Sequence, residues 1–141
     1  MTGLHMHMDI KQEINAAFVR LYGSNVFETS LINAASISEH VTARRLTGLA
    51  MDWRECQMTQ NAAQFQRVVE AFANGLDAGI AFAVLHRSDQ LSYAIFLTRR
   101  LSEKARLARA FQDEVLVDDW FAARHQSRDS QQQGRPDAGR S

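Results

Sequence analysis

The stretch GIAFAVLHRSDQLSYAIFLTRR, residues 79–100, is the most apolar in the chain, and its period decides the fold class. As strands, Ile80, Phe82 and Val84 alternate against Ala81, Ala83 and Leu85. Beyond the polar RSDQ, Leu91, Tyr93, Ile95 and Leu97 alternate against Ser92, Ala94, Phe96 and Thr98, which makes a hairpin. As helix, Leu76, Ile80, Ala83, Val84, Arg87, Leu91, Ala94, Ile95 and Thr98 form one stripe. A lone hairpin is marginal in water, and the flanking segments read as helical. Helix is therefore the leading expectation for 79–100, with the hairpin, and an α+β fold, as the alternative.

Upstream, Asp9 and Gln12 have the spacing of a capping box. Ile10, Ile14, Ala17, Phe18 and Leu21 follow as an amphipathic stripe, and Gly23 stands where a helix C′ residue belongs. From residue 25 to 74 there is no proline and one glycine, Gly48. Capping-box spacings at Asn25/Glu28 and Ser36/Glu39 divide this run into helices near 26–35 and 38–55, the second with Leu46, Leu49, Trp53 and Cys56 on one face. A further helix near 59–74 buries Ala62, Phe65, Val69 and Phe72 and stops at Gly75. Ser102 caps a last helix striped by Leu101, Ala105, Ala108, Phe111 and Val115. The expected class is mainly α: a compact bundle of about five helices forming a single globular domain over 9–125. A flexible leader, 1–8, precedes it. A disordered tail, 126–141, follows, with no large apolar residue to bury.

The chain has 141 residues, 45% of them apolar, and a formal net charge of zero. That balance argues against a chain-wide basic footprint for nucleic acid. Cys56 is the only cysteine, which excludes an internal disulfide and suits a reducing compartment. No secretory signal and no apolar run of about 20 residues is present, so the expected location is the cytoplasm, without membrane contact. Enzyme readings lack support: there is no glycine-rich phosphate loop, paired Cys/His spacing or His-x-x-x-His. HMHM at 5–8 offers soft ligands but no further ligand cluster, so no metal and no cofactor is expected. Cys56 with His40 or His86 is the one nucleophile arrangement to weigh, and a buried thiol serves more often as a small hydrophobe. Asp118 and Asp119 are adjacent and diverge on a helix, so they do not form an acid/base pair.

The segment SLINAASISEHVTARRLTGL, 30–49, reads as a degenerate helix-turn-helix. Ala34 and Ala35 allow close approach, the turn falls at Ser36–Ser38, and a second helix presents Ser38, His40, Thr42, Arg44 and Arg45 to phosphates or base edges. The plain alternative is a helical corner with a solvated Arg pair. EINAAFVRLY (13–22) with ASISEHVTARRLTGL (35–49), and separately QLSYAIFLTRRLSEKARLARAF (90–111), resemble the FlhD-type flagellar transcriptional regulator family. The resemblance implies a helical DNA-binding regulator working with a partner subunit.

A second surface suggests protein binding. DEVLVDDWFAARH, 113–125, spreads Val115, Leu116, Val117, Trp120 and Phe121 around a helix among acids. Large anchors ringed by charge are typical of interface centres. Tyr93, Phe96, Leu116, Trp120 and Phe121 are the candidate contacts for a protein partner or a second copy of the chain. The functional expectation is a non-enzymatic transcriptional regulator, with DNA and a protein as partners. The second reading is a protein–protein adaptor, chaperone or inhibitor without DNA contact.

Overall fold

The computed structural model describes residues 5–104 and 106–126. It is an α/β fold, not a helical bundle. Strand β1 (His5–Lys11) turns through a 3-10 turn, Gln12–Ile14, into β2 (Ala16–Asn25). Helix α1 (Phe27–Ala43), β3 (Gly48–Met58), α2 (Ala62–Gly75), β4 (Ala81–Leu85), α3 (Leu91–Glu103) and β5 (Leu107–Phe111) follow. A last helix, α4, occupies residues 114–126. The strands lie in the order β1-β2-β3-β4-β5. β1 is antiparallel to β2, and β2 to β5 run parallel.

Because the parallel strands advance across the sheet in one direction, right-handed crossovers bring α1, α2 and α3 to the same face. There Ala17, Val19, Leu21, Leu49, Met51, Trp53, Phe82 and Val84 meet Ile37 and Val41 of α1, Phe65, Val69 and Phe72 of α2, and Leu97 and Leu101 of α3. The opposite face falls to α4. It is floored by the small residues Ala16, Ala50, Ala81 and Ala83, into which Val117 and Phe121 pack. Phe121 stacks on Trp120 and meets Phe18 edge to face, each pair of ring centres within 5.7 Å.

Sheet strands covered on both faces lose the period-two signal, and this corrects the expectation of a mainly α fold. The stripe expected to be a helix from Asp9 is the β1–β2 hairpin. Asn15 turns it with φ 52°, a left-handed conformation that Asn tolerates. Gly23 does take positive φ, 86°, but inside β2. Leu46, Leu49, Trp53 and Cys56 do share a side, as a helix would place them. Here the cause is a bulge: between the pairs Arg20↔Asp52 and Tyr22↔Glu55, β3 spends three residues against two. That extra residue returns Cys56 to the face of Trp53. Residues 79–100 are neither hairpin nor helix pair. They comprise β4, a 3-10 turn at Ser88–Gln90, and most of α3.

The helix-turn-helix is likewise corrected. α1 runs unbroken through Ser36–Ser38 and ends one turn later. Arg45 adopts φ 53°, Arg45 N–H donates to the Thr42 carbonyl, and Leu46 N–H donates to that of Val41, each at 3.1 Å. This is the double hydrogen bond of a Schellman stop, with arginine where glycine is usual. The chain then enters β3 instead of a second helix. The expected tail falls at 127–141 outside the described residues, as do residues 1–4 of the expected leader, while His5–Met8 lie in β1.

Gly48 faces α4. A Cβ there would stand 3.1 Å from both Ala16 Cβ and Phe121 Cε1. Ala16 is fixed to β2 and Phe121 is wedged between Phe18 and Trp120, so neither yields readily. Gly48→Ala should destabilise the fold by about 1–2 kcal/mol, measured by urea unfolding. An unchanged midpoint would show that α4 packs less closely than this.

Candidate protein-docking surface at the ends of the parallel strands

In open parallel sheets, ligands gather beyond the carboxyl ends of the strands. At that end the strands differ in length. β3 pairs with β4 only over Gly48–Asp52 against Ala81–Leu85, so the later carbonyls of β3 have no strand donor on that side. Side chains from the segment after β4 supply the donors. Gln90, 2% exposed, donates from Nε2 to the carbonyls of Trp53 at 2.9 Å and Cys56 at 2.8 Å. The Arg87 guanidinium donates to the carbonyls of Arg54 and Cys56. Arg87 N–H returns a bond to Gln90 Oε1 at 2.9 Å, which orients the amide. Nearby, Asn61 and Gln64 close a capping box at the start of α2, and Tyr93 donates to the Gln60 carbonyl at 2.8 Å.

On the α4 face, the buried carboxylate of Asp52 takes a forked contact from Arg54 at 2.9–3.0 Å and a bond from Arg20 Nε at 3.2 Å. Both arginines also reach Glu114 on α4, at 3.1 and 3.4 Å. Lys11 holds Asp118 at 2.8 Å and lies over the Phe18 ring. These pairs tie α4 to β1, β2 and β3. Burial opposes ionisation of Asp52, but the side-chain and backbone bonds of Arg54, with the charges of Arg54 and Arg20, outweigh it. The carboxyl is held below its ordinary value.

At the outer edge of the sheet, an open groove of about 650 Å³ runs past the end of β5 between α3 and α4. Leu91 and Leu116 form its lips, Phe111 and Trp120 contribute apolar wall, and His86, Gln112, Asp119 and Arg109 add polar groups. β5 has β4 as its only neighbour among the described strands, so its outer side is a sheet edge.

The candidate partner contacts divide. Leu116 lies on the groove, 53% exposed, and half-buried Trp120 joins it. Phe121 is buried beneath α4. Tyr93 and Phe96 pack edge to face on Phe65. Of the candidate DNA contacts, Ser38 is buried in α1, while His40, Thr42, Arg44 and Arg45 are exposed at the end of α1 and just past it. Leu91 and His86 were missed as site residues. The only signal for them is their place after a strand, which needs the fold to be read.

Cys56 is buried, and burial pushes its thiol up to about 11 despite the Arg87 charge, so it stays protonated at neutral pH. Its hydrogen-bond partner is the Gln57 carbonyl. His5 and His7 stand on the opposite side of β1 from Met6 and Met8, so HMHM cannot converge on one ion. Among the described residues no three His, Cys, Asp or Glu side chains form a group that would hold a metal. No helix among them is long and apolar enough to cross a membrane.

No family model matches the chain. No curated protein matches it in sequence either. Solved structures do match. An anti-sigma factor antagonist from Mycobacterium paratuberculosis superposes with a TM-score of 0.57 at 15% identity, over 83% of this chain and 94% of that one. The anti-sigma factor antagonist SpoIIAA in its unphosphorylated form superposes with a TM-score of 0.54 at 13% identity, over 82% and 96%. The chain therefore has the fold of these proteins. This overturns the resemblance to the FlhD-type regulators: the segments that carried it are β2, the end of α1 with the start of β3, and α3 with β5.

Replacing Gln90 with Leu leaves the Trp53 carbonyl without its side-chain donor and the Cys56 carbonyl with the Arg87 contact alone, and should cost about 1–3 kcal/mol in chemical denaturation. Asp52→Asn tests the ionic cluster. A carboxyl with a lowered folded value contributes stability that is present above its unfolded pKa, about 4, and lost as pH falls through the folded one. Since both arginines are partly exposed, the variant should lose about 1–2 kcal/mol at pH 7. Its stability should also fall less steeply than wild type below pH 4. Parallel acid limbs would remove Asp52 from the account.

Proposed function

We propose that this chain is a non-enzymatic regulatory protein that acts by docking on another protein, in the manner of an anti-sigma factor antagonist. One observation carries the reading. The fold matches two such antagonists over 94% and 96% of their own lengths, and over 83% and 82% of this chain. The exposed Leu91, Leu107, Val115 and Leu116 on and around the β5 edge support it, as apolar surface suited to a protein partner. This is the adaptor or inhibitor reading of the sequence. The DNA-binding reading lost its structural premise when α1 proved continuous and the next element proved to be a strand.

The test is calorimetry and gel filtration of the purified chain with each anti-sigma factor of the source organism. One of them should form a saturable complex with Kd of about 1 μM or tighter, and the chain should release the sigma factor that this protein holds. Failure to bind any of them, together with salt-dependent binding to duplex DNA, would overturn the proposal.

A further inference from the structure

We propose that the groove beside β5 receives one aromatic side chain bearing a hydrogen-bond donor, a tyrosine above all, presented by an extended segment of a protein partner. The inference rests on the docking role proposed above and names the chemistry of the segment that docks.

His86 is the reason for a donor. It lies immediately after β4, is 3% exposed, and lines the groove. Its Nδ1 stands 2.8 Å from the Arg87 carbonyl oxygen. A carbonyl can only accept, so in the neutral ring Nδ1 carries the proton and Nε2 is left as an acceptor. Among the described residues no donor reaches Nε2. An acceptor on a buried residue that lines the groove favours a guest that brings an N–H or O–H. The walls call for an aromatic ring: Leu91 and Leu116 stand half exposed on opposite lips, with Phe111 and Trp120 between them, their ring centres 5.5 Å apart. A phenol satisfies both demands, with its ring among these side chains and its hydroxyl on His86.

The edge of β5 is the reason for an extended segment. Its outer backbone groups face no strand among the described residues, and a partner strand can pair there as it delivers the ring. Charge fixes the neighbouring residue. Arg109 lies two residues before Phe111, over its ring at 5.5 Å, exposed and in no ion pair among the described residues. A carboxylate two positions from the tyrosine, on the same side of the partner strand, would meet it. Asp119, at the α4 side of the mouth, disfavours a second acid beside the ring.

The test is an NMR titration of the full chain with p-cresol and with toluene, which differ by the hydroxyl. Cresol should shift the His86 ring, the Leu91 and Leu116 methyls and the Trp120 indole, and bind at least tenfold more tightly than toluene. His86→Phe should erase that preference. Leu116→Glu, a surface change that leaves the core untouched, should weaken both probes at least tenfold, so the outcome does not depend on the His86 variant folding. Shifts elsewhere, equal affinities, or indifference to Leu116→Glu would overturn the proposal. So would a dimer in sedimentation that Leu116→Glu dissolves, since a second copy would then be the occupant. If an anti-sigma factor binds wild type and both variants equally, this inference falls while the docking role stands. If cresol binds as expected and no anti-sigma factor does, the docking role is the part that fails.

Discussion

The carbonyls of β3 beyond Asp52 must find donors, and β4 is too short to provide them. Buried backbone acceptors left unpaired are costly, so the chain places Arg87 and Gln90 where a longer strand would have run. Much follows from that substitution. The segment after β4 is pinned to β3 through side chains, α3 starts from a fixed point, and its first residue, Leu91, lands on the lip of the groove. His86, at the head of the segment, is buried, lines the groove, and has its Nδ1 committed to the Arg87 carbonyl.

The second constraint is sidedness. Three crossovers to one face leave the other to α4, and the floor of alanines beneath it lets Phe121 and Val117 approach the sheet closely. Apolar contact holds the middle of α4, while Glu114 and Asp118 anchor its first turns to Arg20, Arg54 and Lys11. Fixing the start of α4 also fixes Leu116 and Trp120, the second lip and wall. The groove is thus built by two elements held on opposite faces of the sheet, with the β5 edge between them.

Much of the helical content was legible. The spacing of Phe65, Val69 and Phe72 places a helix close to α2, and all but the first residue of 26–35 lies within α1. The strands were not. Ala16–Val19, Gly48–Met51 and Ala81–Leu85 are apolar on both sides, and such runs fit either period. The bulge in β3 gave Leu49, Trp53 and Cys56 a helical spacing for a reason that has nothing to do with helices. The end of α1 carries no glycine, because Arg45 takes the left-handed position itself. Of the site, Leu116 and Trp120 could be read from an acidic helix with too many apolar residues. His86, Leu91 and Arg109 become neighbours only once β4 and β5 are known to lie side by side.

The side-chain amide of Gln90 reports most directly on the constraint from which the rest follows. In a 15N-resolved NMR spectrum its two protons should be distinct, protected from exchange with water, and close in space to residues 53–56. A Gln90 amide that exchanges freely, with averaged proton shifts and no contact to β3, would contradict the account.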